Sequence, residues 1–117
     1  MHNLTSQSLT TPSRTSMVMA RGSIERVVSL VSAHNHVLPD LVFSPSRCKI
    51  DVARTRQLAM YLSHVIMGES LTAIGMAFGR DRTTVSYACG LIEDMRDDPH
   101  FDAEVTELEM RLQADEC

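Results

Sequence analysis

Apolar positions recur at helical spacing in several separate stretches of the chain, and the polar residues between them mark where each stretch begins and ends. Residues 1–22 show no sustained period and are rich in Ser and Thr around Pro12, which predicts a disordered or weakly ordered arm. From Ser23 the pattern changes. Ile24, Val27, Val28, Leu30 and Val31 fall on one helical face behind a Ser cap, and the helix is predicted to end near His34 and Asn35, with Asn35 suited to a left-handed conformation. Pro39-Asp40-Leu41 predicts a short helical turn with proline at its first position. Ser44 to Ile50 reads as a loop by its Pro and Ser content, exposing Arg47 and Lys49. Asp51 to Met67 then carries Val52, Leu58, Ala59, Leu62, Val65 and Ile66 on a helical stripe, with Gly68 as the stop of a long helix.

Ser70 is the next N-cap. It opens a short helix over Leu71–Phe78 whose Leu71, Ile74, Met76 and Phe78 must largely be buried for so short an element to be stable. Gly79 ends it, and Asp81 starts another helix, its carboxylate placed to accept from the N–H of Thr83 or Thr84. On that helix Val85, Ala88, Cys89, Ile92 and Met95 form the inward stripe, leaving Arg82, Thr83, Ser86, Tyr87 and Gly90 outside or at its edge. A short helix, a glycine-containing turn and a longer second helix at this spacing is the helix-turn-helix arrangement. After Asp97, Asp98 and Pro99, the residues Phe101, Val105, Leu108 and Leu112 mark a last amphipathic helix, with Asp102, Glu104, Glu107 and Glu109 between them. The prediction is an all-α bundle of about five to six helices over residues 23–113, followed by a short tail at 114–117.

Composition agrees with helices packed on helices, because aromatics are 4% of the 117 residues and aliphatic side chains supply the apolar mass. That length suits one domain. Three scattered cysteines, Cys48, Cys89 and Cys117, argue against a disulfide framework or a paired-cysteine zinc site and point to the cytoplasm. No run approaches the roughly 18 apolar residues that span a bilayer, and no signal peptide is expected. The formal charge of −4 is segregated: residues 1–92 carry nine Arg or Lys against five Asp or Glu, while residues 93–117 carry two against ten. The first part is therefore +4 and the second −8. Attraction to phosphate depends on the local face, so the overall sign does not exclude nucleic acid.

The helix that begins after Asp81 presents Arg82, Thr83 and Thr84 at its positive end, chemistry suited to DNA. Arginine can donate twice to a guanine edge and a threonine methyl can meet that of thymine. Arg54 and Arg56 lie on different sides of the long helix, so one can face a groove while the other grips phosphate or pairs with an acid. His34 and His36 form a close pair, but no further metal ligands stand out and no catalytic constellation is present. An enzyme, a metal or a cofactor is not expected.

Three stretches carry a family resemblance: Val52-Ala53-Arg54-Thr55-Arg56-Gln57-Leu58-Ala59-Met60-Tyr61-Leu62; the run from Ser70-Leu71-Thr72-Ala73-Ile74-Gly75 through Phe78-Gly79-Arg80-Asp81-Arg82-Thr83-Thr84-Val85; and Ala88-Cys89 with Ile92-Glu93. Together the chain resembles the C-terminal DNA-binding domain of the bacterial replication initiator DnaA, over about residues 23–113. The resemblance implies a Trp-repressor-like fold and double-stranded DNA binding. It implies base contacts from Asp81, Arg82, Thr83, Thr84 and Tyr87 in the major groove. Arg54 is similar to a minor-groove arginine, and Arg47, Lys49, Arg56 and Arg80 match positions at the minor groove or backbone. Arg82 and Tyr87 replace histidines common in the family, which implies a shifted or relaxed site. No Gly-x-x-x-x-Gly-Lys-Ser/Thr loop occurs, so no nucleotide cofactor is expected, and the chain reads as a stand-alone regulator of transcription or modulator of replication at the nucleoid. The rival expectation is an interaction module without DNA affinity whose acidic last helix docks a basic partner. A second copy of the chain could also dock through that helix.

Overall fold

The structure is a computed structural model that describes residues 14–44 and 49–115. Among these residues there are six helices and no strands: α1 Arg14–Asn35, α2 Pro39–Phe43, α3 Ile50–Val65, α4 Leu71–Phe78, α5 Arg82–Met95 and α6 Pro99–Asp115. The all-α expectation holds. The proposed arm falls partly outside the described residues, at 1–13, but residues 14–22 are helical and extend α1 upstream of the expected start at Ser23. The cause is packing. Met17 and Ala20 continue the stripe of Ile24, Val27, Val28 and Val31 and rest against the same core, so tertiary burial overrides the polar local composition. Ser23 is thus interior rather than a cap. Gly22 lies exposed in the middle of α1, and a Cβ added there would meet nothing within 4 Å. Gly22→Ala is expected to raise stability by about 0.5–1 kcal/mol, read as a higher midpoint in thermal unfolding.

The left-handed residue after α1 is His36, with φ 58°, rather than Asn35. Asn35 keeps helical geometry while its Nδ2 donates to Thr55 Oγ1 of α3 at 2.8 Å. That hydroxyl in turn donates to the Asp51 carbonyl at 2.7 Å. The central helix is α3, which buries residues around most of its circumference: Val52, Leu58, Ala59, Met60, Tyr61 and Leu62, together with Thr55, Arg56 and Ser63. Such all-round burial is the mark of a core helix enclosed by its neighbours.

Helix α6 runs antiparallel beside α1, with Arg26 Nη2 reaching the Leu112 carbonyl at 3.5 Å and His34 Nε2 lying 3.9 Å from Glu104. Val105, Leu108 and Leu112 are buried. Its attachment also depends on Arg96, which follows α5. Arg96 Nε donates to Asp102 at 2.6 Å, Nη1 to Glu109 at 2.8 Å and to the Tyr61 hydroxyl at 3.0 Å, and Nη2 to Thr106 Oγ1 at 3.0 Å. The guanidinium also lies 5.9 Å from the Tyr61 ring centroid. The hydrogen bond to Glu109, aided by those to Asp102 and Tyr61, raises the Arg96 pKa above its usual value against partial burial. Part of the acidic face of α6 is therefore neutralised within the chain, and Glu107 is further paired with Arg111 at 3.0 Å.

Candidate nucleic-acid interface

The short helix α4 begins as its sequence dictates, with Ser70 Oγ accepting from the Ala73 N–H at 3.0 Å. Ala73, Ile74, Gly75 and Phe78 are its buried residues. Met76, expected inside, is 45% exposed, because it lies about 200° around the helix from Ile74 and so points outward. Gly79 closes the helix at φ 68°, a conformation that favours glycine. The chain then folds back, with the Arg80 N–H bonding the Gly75 carbonyl at 2.8 Å, and Asp81 leads into α5 in an extended conformation.

This reversal depends on Gly75. A Cβ at that position would sit 2.5 Å from the Arg80 carbonyl oxygen and 3.4 Å from backbone atoms of Asp81 and Arg82. Only glycine allows α4 and the start of α5 to approach so closely. Neither periodicity nor capping marks Gly75, although a glycine within a helical stripe is itself a signal of close backbone approach.

Asp81 occupies the N-cap position, but its side chain makes no capping hydrogen bond, contrary to expectation. The Asp81 backbone carries the start instead, its carbonyl accepting from Val85 N–H at 3.2 Å. Asp81, Arg82, Thr83 and Thr84 are all exposed, and Tyr87 is 69% exposed one turn on. Val85, Ala88 and Ile92 anchor the opposite side. All five candidate base-reading residues are thus solvent-exposed at the start of α5, with Thr83 and Tyr87 opposite the buried stripe and Arg82 and Thr84 on its two flanks. Gly75, Met76, Gly79, Arg80, Asp81 and Thr84 line an open groove beside it.

The cations are distributed differently from expectation. Lys49 is exposed, and Arg47 lies outside the described residues. Arg54 is half-buried and its Nη1 donates to the Met95 sulfur at the end of α5. Arg56, expected at the DNA backbone, is only 8% exposed. Its Nε donates to the Val42 carbonyl at 2.7 Å, and its Nη2 to those of Leu41 at 3.3 Å and Ser44 at 3.2 Å. Position 56 shares a helical face with Val52 and Ala59, both buried, which is the signal that could have placed it. Arg80 donates to the carbonyls of Phe78 at 2.7 Å and Ser44 at 3.3 Å.

Cys89 packs against the core on α5, and burial, with Glu93 adding, raises its thiol pKa above the ordinary value. A raised pKa favours the neutral thiol, so its stabilising effect is present below the unfolded pKa and lost as pH rises through the folded one. Alkylation at Cys89 near pH 8, followed by peptide mass spectrometry, is expected to be several-fold slower in the folded chain than in urea. Among the described residues no group of three or more His, Cys, Asp or Glu could hold a metal ion, and no helix is long and apolar enough to cross a membrane.

A capped short helix, a left-handed glycine turn and a longer helix with a polar outer front, packed on a helical bundle, define a helix-turn-helix protein. Residues 24–92 match the family model described as the bacterial DnaA protein helix-turn-helix. The chain belongs to this family. It is 39% identical over 94 residues to the chromosomal replication initiator protein DnaA of Acinetobacter baumannii, a match covering 79% of this chain and 20% of that protein. With the same-named protein of Deinococcus radiodurans the identity is 38% over 98 residues, covering 83% and 21%. The chain spans about a fifth of the length of these relatives. A solved structure described as a DNA replication initiation factor superposes with a TM-score of 0.74 at 29% identity, covering 84% of this chain and 30% of that one.

Proposed function

We propose that the chain binds double-stranded DNA selectively, with the outer face of α5 in the major groove. The observation that carries this reading is the exposed run of Asp81, Arg82, Thr83, Thr84 and Tyr87, held outward by Val85, Ala88 and Ile92. Membership of the DnaA helix-turn-helix family supports DNA binding as such. In this reading Arg82 and the threonines contact base edges, Arg54 swings from Met95 toward the adjacent minor groove, and Arg47 and Lys49 meet phosphates. Regulation of transcription or modulation of replication follows as the role of such binding at the nucleoid. The rival reading, a module docking basic partners on α6, draws less support, because Asp102 and Glu109 are already bonded to Arg96.

Selection from random duplex DNA followed by titration tests the proposal. Specific affinity should fall about tenfold or more in Arg82→Ala or Thr83→Ala, with an unchanged unfolding midpoint. Unchanged affinity for the selected site in both variants would sink the assignment. With Arg56 and Arg80 turned to carbonyls, at most Arg47, Lys49, Arg54 and Arg82 from the candidate set remain to displace counterions. Log affinity should therefore fall against log salt with a slope no steeper than about −4.

A further inference from the structure

We propose that Arg56 and Arg80 are positioning residues, a two-arginine clamp on the Ser44 carbonyl that registers the start of α3 against the helix-turn-helix turn. Guanidinium groups from two separate elements converge on one acceptor, Arg56 Nη2 at 3.2 Å and Arg80 Nη2 at 3.3 Å. Each is also tied to the carbonyl end of a short helix: Arg56 to Leu41 and Val42 of α2, and Arg80 to Phe78 of α4. Cations suit these ends, where helix carbonyls lack intrahelical partners. Immediately beside them Phe43 stacks on Phe78 with ring centroids 5.0 Å apart, joining the same two helix ends through apolar contact. Arg56 belongs to α3, two residues after Arg54, whereas Arg80 lies two residues before Arg82. The clamp therefore links the helix that carries Arg54 to the turn that launches α5. Both parts meet the duplex as one rigid surface, and neither clamp arginine needs to touch phosphate.

The inference rests on the DNA-binding reading, and its test separates the two. Arg56 is buried enough that its loss threatens folding, so the half-buried Arg80 carries the experiment. Binding is measured to a duplex selected by the unaltered protein, across a salt series, for the unaltered protein, Arg80→Gln, Arg54→Ala and the double variant, with circular dichroism confirming the fold. Arg80→Gln is expected to weaken binding about tenfold without changing the salt slope, since no phosphate contact is lost. Arg54→Ala is expected to cost about tenfold in the unaltered chain but less than about threefold once Arg80 is gone, because the two parts are no longer in register. A slope reduced by about 0.9 would identify Arg80 as a phosphate contact and overturn the clamp. Additive costs, unchanged affinity in Arg80→Gln, or an Arg54→Ala without effect would overturn it too. If the unaltered protein binds no duplex even at low salt, it is the DNA-binding reading itself that falls.

Discussion

Gly75→Ala is expected to lower the thermal unfolding midpoint by about 10–20 °C, corresponding to about 2–3 kcal/mol, and to weaken DNA binding with it. The added methyl would stand 2.5 Å from the Arg80 carbonyl oxygen, inside any tolerable contact. The oxygen belongs to the backbone and the methyl is fixed rigidly on Cα, so no side chain can rotate to make room. Relief requires the turn to move outward, which stretches the 2.8 Å bond between Arg80 N–H and the Gly75 carbonyl and shifts the first residues of α5. Those residues carry the candidate base contacts, so stability and binding should decline together. Calorimetry and titration on one preparation measure both. A midpoint within about 2 °C of the unaltered chain would show that the two helices are not so closely apposed.

The second large effect is expected from Arg96→Met, which should destabilise the fold by about 2–3 kcal/mol in chemical denaturation. Arg96 is 20% exposed at its side chain and Glu109 18%, so water only partly replaces the lost partner. Removing the guanidinium leaves the Asp102 and Glu109 carboxylates without their countercharge and the Tyr61 hydroxyl and Thr106 Oγ1 without their donor. The partial exposure keeps the estimate below the roughly 3–5 kcal/mol typical of a fully buried pair. Adding Glu109→Leu should restore part of the loss, because the cost lies chiefly in an unpaired charge. If the double variant is no better than the single one, packing of the Arg96 stem rather than charge holds α6.

Much of the fold was legible because short-range chemistry agreed with the final packing. Ser70 caps α4, Gly79 ends it in a left-handed conformation, and Val85, Ala88 and Ile92 are buried at their helical spacing. Where the local reading failed, a partner distant in sequence had intervened. Residues 14–22 look like a polar arm but form helix because Met17 and Ala20 reach the core. Asn35 stays helical because Thr55 holds its amide. Arg56 reads as a surface cation and is buried by the carbonyls of α2 and Ser44.

The candidate site divides in the same way. Arg82, Thr83, Thr84 and Tyr87 were readable as an outward front, since residues off a buried stripe must face solvent. Their relation to Arg54, the inward turn of Arg56 and Arg80, and the contact that demands Gly75 were not. By itself, then, the sequence determined the all-α class, the helix-turn-helix spacing and which face of α5 is polar, because these depend on side-chain periodicity and caps within a few residues. The tertiary structure alone decided which cations remain at the surface and how closely α4 meets the start of α5. Those outcomes depend on carbonyls and backbone atoms brought together from separate elements, and no local pattern encodes their distance.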